Sequence, residues 1–259
     1  MMRFKLSMFM KVLSYLKTKQ ITSRQISNYS MKNTVSISYC VPVWNEHTEL
    51  ERLLKTVIPF VEDGDEIIVQ GDKGKVTDAV FDVIKSFPTV RYIEYPLNGN
   101  FAEYKNNFFN YSKGDVIFLI DADELPAKSL LTTLKYILIE NPEIDAFDVP
   151  RFNVVNGLTS EWIAKWRWNV QTKKVDKLDY DTRNVLESDQ DSVQLINLPD
   201  YQRRIYRRSE TIKWQGSVHE KLMGMNHLAK LPYDDFMYGL FHVKEIERQI
   251  KQNEFYEIF

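Results

Sequence analysis

The sequence predicts an α/β protein: a mostly parallel central sheet flanked by helices, with a smaller antiparallel region in its second half. Three observations carry that reading. Strand-like and helix-like patterns alternate from Val35 to Leu119, which implies right-handed crossovers between parallel strands. The run Val116-Ile117-Phe118-Leu119-Ile120 is apolar throughout, as in a strand covered on both faces. After Pro150 the alternation stops. Residues 151–215 turn polar, with Trp162, Trp166 and Trp168 close together and an acidic stretch around Asp176–Asp191.

Taken in order, Val35–Val41 reads as the first strand, followed by Pro42-Val43-Trp44-Asn45-Glu46. Leu50, Leu53, Leu54, Val57, Ile58 and Val61 recur at helical spacing. Glu66–Gln70 reads as a second strand and Gly71-Asp72-Lys73-Gly74 as a loop. Ala79, Val80, Val83, Ile84 and Phe87 mark a second helix, which Pro88 ends. Val90–Glu94 follows as a third strand, and Phe101, Tyr104, Phe108 and Tyr111 give the next helix an aromatic face. The strand at Val116 comes next. Residues 151–215 are expected to form antiparallel strands and long loops packed against the first half. Residues 243–259 read as a closing amphipathic helix, with Ile246, Ile250, Phe255 and Ile258 on its apolar side. No internal repeat or low-complexity segment interrupts the chain.

The apolar strand runs straight into Asp121-Ala122-Asp123-Glu124. Ligands of open α/β sheets bind beyond the carboxyl ends of such strands. Two residues apart, Asp121 and Asp123 would face opposite sides of a strict strand. The chain must therefore turn at Ala122 for both to reach one site, and Pro126 helps end the segment. Clustered carboxylates repel unless a cation sits among them. Oxygen-rich sites suit Mn²⁺ or Mg²⁺, which can in turn hold a diphosphate. A solvated acidic turn after a core strand is the other reading of the same residues.

Composition bounds the class. The 259 residues suffice for one α/β domain with extensions, and 15 Phe, 14 Tyr and 5 Trp can line a core or a groove with rings. Cys40 is the only cysteine, so no disulfide forms within the chain; this agrees with a reducing, cytoplasmic compartment. With 34 basic and 36 acidic residues, the chain as a whole gives no argument for nucleic acid. The charge is uneven, however. Residues 1–33 hold seven basic residues and no acid, leaving 27 basic against 36 acidic in the rest. With Phe4, Met8, Val12, Leu13 and Leu16 near helical spacing, residues 1–33 form a basic amphipathic extension that can lie peripherally on an anionic membrane surface. The segment is too polar to span a bilayer and lacks the apolar core of a secretory signal. Its plainer reading is a frayed extension, with Met31 as an alternative start.

These pieces, in this order, resemble the family 2 glycosyltransferases, whose GT-A fold is Rossmann-like. The likeness is to the branch with a Trp-Asn-Glu start and a Val-His-Glu signature. It is carried by Cys40-Val41-Pro42-Val43-Trp44-Asn45-Glu46, Asp65-Glu66-Ile67-Ile68-Val69, Thr77-Asp78, Phe101-Ala102, Lys105-Asn106 and Leu119-Ile120-Asp121-Ala122-Asp123-Glu124. Further on, Trp214-Gln215-Gly216-Ser217-Val218-His219-Glu220 and Phe241-His242 complete it, so the likeness spans roughly residues 35–255.

The resemblance implies a metal-dependent, inverting transfer of a sugar from a nucleotide donor, by default a UDP-sugar, to a hydroxyl acceptor on a glycan or glycolipid. Residues 34–150 would be the nucleotide-sugar half and 151–259 the acceptor and C-terminal half of one domain. Pro42 and Glu46 would border the nucleoside, with Asp72 as its next contact and Lys105 against the phosphates. Asp123 would ligate Mn²⁺ or Mg²⁺, Asp121 would touch ribose or metal-bound water, and His242 would complete the metal site. Glu220 would be the base that takes the acceptor proton, and His219 would orient it or bind phosphate. Each residue has a plainer reading: Glu46 as a helix N-terminal acid, Asp72 as a turn residue, Lys105 as a solvated cation, Glu220 paired with a lysine such as Lys221, His242 as a packed histidine. The segment Gln70–Asp78 departs from the family's Asp-x-Gly-Ser-x-Asp loop in length and by two added lysines, which leaves the base open.

Other functions remain open at this level. Arg203, Arg204, Arg207, Arg208 and Lys213 interleave with Tyr201, Tyr206 and Trp214, and one face of such a strand can bind a diphosphate, an anionic acceptor or a base stacked out of DNA. That pattern allows a transferase acting on modified DNA bases. A sugar nucleotidyltransferase would carry a Gly-rich basic loop near the first strand, and Pro42–Glu46 is not one. A non-catalytic sugar-nucleotide-binding or scaffold module is the alternative outside enzymes.

Overall fold

The computed structural model describes residues 34–174, 192–234 and 236–256. The expectations for residues 1–33, for the acidic stretch around Asp176–Asp191 and for Ile258 lie outside them. The described residues from Val35 onward form one unit. No helix among the described residues is long and apolar enough to cross a membrane.

The first half alternates as its periodicity dictates. Strand β1 (Ile37–Val43) leads to helix α1 (His47–Val57), β2 (Glu66–Asp72) to α2 (Asp78–Ser86), and β3 (Val90–Tyr95) to α3 (Phe101–Tyr111), before β4 (Val116–Leu119). Helix α1 buries Leu50, Leu53, Leu54 and Val57, four residues on one stripe. Helix α3 starts at an N-cap: Asn100 Oδ1 accepts from Glu103 N at 3.1 Å. Its aromatic face is only half buried, since Tyr104 and Phe108 go into the core while Phe101 and Tyr111 stay exposed. All four residues of β4 are buried, as a strand covered on both faces requires. Its start needs a glycine: a Cβ on Gly114 would lie 2.6 Å from Ser38 N.

Strands β3, β2, β1 and β4 lie side by side in that order, all parallel. Cys40 pairs with Ile68 on one side and Leu119 on the other. Pro42 lies past the last β1–β4 pair, where its missing N–H leaves no ladder bond unmade. Strand β2 runs two residues further than its apolar run, so Gly71 and Asp72 end the strand instead of opening a loop.

The second half does not pack on the first as a separate layer. It continues the same sheet. After β5 (Glu124–Pro126) and α4 (Lys128–Glu140), an element the sequence reading leaves unassigned, come β6 (Ala146–Asn156), α5 (Ser160–Trp166), β7 (Val170–Lys174) and the long β8 (Ser192–Arg207). Strand β8 pairs antiparallel with both β4 and β6, setting Phe118 and Phe147 on either side of Ile205. Strands β9 (Lys213–Gln215) and β10 (Lys221–Met223) form a separate antiparallel hairpin, and β11 (Leu228–Lys230) adds to β6. Finally β12 (Leu240–Glu245) inserts between β6 and β5, and α6 (Ile246–Tyr256) closes the described chain. The full order is β3-β2-β1-β4-β8-β6-β12-β5.

Two registers position the site. Pairing of β12 with β6 sets His242 opposite Asn153, and pairing with β5 sets it opposite Glu124. Pairing of β6 with β8 sets Arg151 opposite Asp200. The β9–β10 hairpin is fixed over α3 by Trp214 and Leu222, which enter the core with Phe108 and Tyr206. Asn106 clamps it by donating to Trp214 O and accepting from Trp214 N, both at 2.8 Å.

Candidate active site

Strand β4 ends at Leu119, and the chain turns over Ala122 and Asp123 with Glu124 N donating to Asp121 O at 2.8 Å. The three acids leave this turn with different partners. Glu124 is buried and receives Arg204 Nη2 at 2.6 Å and Arg151 Nη1 at 3.3 Å. Asp121 is a third exposed and is held by the same Arg204 nitrogen. Burial opposes ionisation of Asp121, but the Arg204 guanidinium and the Lys105 ammonium outweigh it and hold the carboxyl below its ordinary range. The two acids in turn raise Arg204 despite its burial, so this arginine is a fixed positive charge.

Asp123 faces the closing strand and helix. His242 Nε2 lies 3.3 Å from its Oδ2, Arg248 Nη2 3.4 Å and Lys244 Nζ 3.8 Å. Burial pushes the Asp123 carboxyl up, yet His242, Lys244 and Arg248 together bring it well below the usual carboxylate range. His242 and Lys244, two apart on β12, share a face. Burial pulls the Lys244 ammonium down, with Asp123 opposing in part.

The orientation of His242 follows from its neighbours. Asn153 Nδ2 donates to Asp200 Oδ2 at 2.8 Å, and a carboxylate can only accept, so the amide orientation is fixed. Asn153 Oδ1 then faces His242 Nδ1 at 2.8 Å and makes that nitrogen the N–H. In the neutral ring Nε2 turns a lone pair toward the Asp123 carboxylate. Two acceptors 3.3 Å apart call for a positive charge between them, either a ring proton or a metal ion. Nitrogen and carboxylate oxygen form a donor set acceptable to Mn²⁺. Among the described residues no three His, Cys, Asp or Glu side chains converge to enclose an ion, and Asp121 is engaged by Arg204 rather than by His242. The residues fit an open, two-ligand site.

Asp200 anchors this arrangement. It accepts from Arg151 Nε at 2.9 Å, Asn153 Nδ2 at 2.8 Å and Gln202 Nε2 at 2.7 Å. Burial raises its carboxyl, and Arg151 and Asn153 pull it below the ordinary range. Beside it opens a cavity of about 620 Å³, lined by Asp121, Asp123, Arg151, Asn153, Asp200, Tyr201, His242, Lys244 and Gln249, with Val154, Val155, Ile196, Pro199 and Trp168 as its apolar part. Trp168 ends a ladder of rings, with Trp166 centred 4.6 Å from it and 4.7 Å from Trp162. Its loop is tied to β8: Asn197 N donates to Asn169 O at 2.7 Å, and Asn169 N to Asn197 Oδ1 at 3.1 Å.

On the other side of the turn, Glu46 folds back on its own loop and accepts from Trp44 N at 2.9 Å and Asn45 N at 3.1 Å. Asp72 is nearly buried. It accepts from Leu97 N at 2.9 Å and pairs with Lys75 at 3.0 Å, so it fastens the end of β2. Lys105 is not solvated; it pairs with Glu220 and lies 4.6 Å from the Trp214 ring centre. Glu220 therefore takes Lys105 as its partner and does not line the cavity. His219 is exposed at φ 57°, and Gly216 at φ 97° supplies a left-handed turn, with ordinary space around a Cβ.

The basic cluster on β8 is spent internally. Arg203 pairs with Asp148, Arg207 donates to the carbonyls of Leu138, Asn141 and Ile144, and Arg208 donates to Gly114 O. Tyr206 is buried, so this strand offers no stripe for phosphates or stacked bases. The sequence reading missed Lys244, Arg248, Arg151, Asn153 and Asp200. Lys244 was within reach, since it follows His242 at strand spacing; Arg151, Asn153 and Asp200 depend on β6–β8 and β6–β12 register, and Arg248 on the contact of α6 with Glu49.

The family model for "Glycosyl transferase family 2" matches residues 38–190. Among curated proteins, the "SPbeta prophage-derived glycosyltransferase SunS" of Bacillus subtilis is 24% identical over 232 residues, covering 88% of this chain and 44% of that protein. The "Probable glycosyltransferase YdaM" of Bacillus subtilis is 27% identical over 165 residues, covering 54% of this chain and 38% of that one. The chain thus spans less than half the length of these relatives. Among solved structures, S. aureus TarS 1-349 in complex with UDP aligns at a TM-score of 0.52 with 14% identity, covering 80% of this chain and 60% of that one. That likeness shows the GT-A fold.

Proposed function

The chain belongs to glycosyl transferase family 2, and from that premise we propose that it moves a sugar from a UDP-sugar to a hydroxyl acceptor, with inversion and with a divalent cation held at Asp123 and His242. The observation that carries the reading is His242 Nε2 set 3.3 Å from Asp123 Oδ2 by the Asp200–Asn153 chain behind the ring, a pair that calls for a cation between them. The UDP in the TarS structure supports the choice of base. When bound, Mn²⁺ or Mg²⁺ would be held by Asp123 and His242 and would supply positive charge to the departing diphosphate.

The protein's own residues do the rest. Pro42 and Glu46 border the nucleoside at the end of β1, and Asp72 holds the end of β2 beside them. Asp121, kept ionised by Arg204, points at the donor from the opposite side. The cavity takes the acceptor. Its reacting oxygen, carried past Asp121 to the Lys105 side and not within the cavity lining itself, bonds to the anomeric carbon as the bond from that carbon to the diphosphate breaks, and the proton passes to Glu220 there. Among the carboxylates near the site, Asp200 is a poor base: three donors occupy it and its carboxyl is lowered. Glu220 has Lys105 as its partner, and Lys105 also faces Asp121 electrostatically. His219 positions the loop that carries Glu220.

Release of UDP from UDP-sugars, followed with Mn²⁺ and after chelation, tests the reading. Turnover that requires the ion supports it. Nucleotide-sugar binding with neither transfer nor hydrolysis would make the chain a binding module instead.

A further inference from the structure

The closing helix carries a cation that the carboxylate motif does not account for. Arg248 reaches from α6 to acids of two neighbouring parallel strands' ends. Nη1 donates to Glu49 Oε1 at 2.8 Å, while Nη2 lies 3.5 Å from Glu46 Oε1 and 3.4 Å from Asp123 Oδ2. Glu46 and Glu49 open α1 just after β1; Asp123 follows β4, the strand paired with β1. The guanidinium therefore spans the carboxyl ends of adjacent parallel strands, where an open α/β sheet receives its ligand.

A divalent ion directed at Asp123 Oδ2 meets two resident cations there, Lys244 at 3.8 Å and Arg248 at 3.4 Å. They are not equally able to yield. The Lys244 side chain is 8% exposed and rises from a strand held between two others. The Arg248 side chain is 40% exposed and sits on a long arm. A diphosphate gives that arm an anion to turn to, and the planar guanidinium matches phosphate oxygens two at a time.

We propose that Arg248 is a donor-diphosphate contact: it neutralises Asp123, Glu46 and Glu49 in the absence of donor and passes to the diphosphate when cation and donor enter together. The inference rests on reading this site as a nucleotide-sugar site. At Asp123 charge stays matched in both states, because the ion replaces Arg248 there as Arg248 finds the phosphates, while Glu46 and Glu49 are released. The exchange makes ion and donor binding mutually favourable. It also sets a sign pattern that a structural link between α6 and α1 does not share.

Arg248→Gln separates the two. Mn²⁺ affinity without nucleotide, read by electron paramagnetic resonance of the free ion, rises several-fold as the competing cation is lost. UDP affinity at saturating Mn²⁺, read by calorimetry, falls about tenfold, the loss of one charge-assisted contact. Uridine, which has no phosphate, binds as before by ligand-observed NMR. Arg248→Lys keeps the charge without the fork and gives UDP an intermediate affinity. Unchanged UDP affinity in Arg248→Gln, or an equal loss for UDP and uridine, overturns the proposal while leaving the site reading intact. Wild-type protein that binds no nucleotide, with or without Mn²⁺, overturns both.

Discussion

The half of the chain from β1 to β4 and the half from β6 to α6 bring opposite charges to the turn between them. Glu46, Glu49, Asp121, Asp123 and Glu124 come from the first half or the turn. Of the groups that answer them, Arg151, Arg204, His242, Lys244 and Arg248 come from the second half, and Lys105, beside Asp121, from the first. The first half is a scaffold in which β1, β2 and β3 pair with their neighbours in sequence, β4 returns beside β1, and the helices bury regular stripes. The second half is joined to it by contacts across 80 residues or more, such as Arg204 to Glu124 and Arg248 to Glu49. The lesson is that local periodicity builds the platform, while the electrostatics of the site are assembled by sheet register.

Breaking the strongest cross-half link should cost most. Arg204→Leu leaves Glu124 buried with only Arg151 beside it, and unpairing a buried charge costs about 3–5 kcal/mol. Urea denaturation should show that loss, whereas Lys85→Ala, in an exposed pair of the first half, should change stability by under about 1 kcal/mol. A mild Arg204→Leu would mean that the halves are held by packing rather than by charge.

Chemistry and binding should separate next. Glu220→Gln should lower kcat about a hundredfold or more and leave UDP affinity as it was, since a base acts on the acceptor proton. Equal losses in both would return Glu220 to a purely structural pairing with Lys105.

The pH dependence sharpens the comparison further. Asp121, Asp123 and Asp200 all have folded-state values below the ordinary one, so each contributes stability above about pH 4 that is lost as pH falls through the folded value. Asp121 and Asp123 sit at the junction of the halves, and Asp200 braces the second half beside them. Asp200→Asn should therefore reduce the loss of stability between about pH 5 and 3, followed by thermal unfolding. An unaltered acid slope would place the sensitivity elsewhere.

The smallest effect belongs to the cavity. Trp168→Ala should raise the acceptor KM about fivefold, the scale of one aromatic contact, with donor KM unchanged. A change in donor KM alone would put the donor sugar, not the acceptor, against this ring.

The platform was legible in the sequence because its signals are local. The stripe Leu50, Leu53, Leu54 and Val57 and the apolar run of β4 need no knowledge of distant partners. The acids of the β4–β5 turn were legible for the same reason. Glu124 was not separable from them, although it is buried under Arg204 while Asp121 and Asp123 reach the cavity. The arginines of β8 looked like a binding stripe because alternation along a strand does not reveal that both faces are covered. Asp72 looked like a loop residue because the glycine before it masks two further strand positions. Asn153 and Asp200 carried no signal at all. Their role exists only through the pairing of β6 with β12 and β8.

The most direct test is calorimetric binding of UDP to wild type and Asp123→Asn, each with Mn²⁺ and with chelator. The charge arrangement at Asp123 and His242 predicts tight binding only for wild type with Mn²⁺. Binding of equal strength in Asp123→Asn, or in chelator, would contradict it.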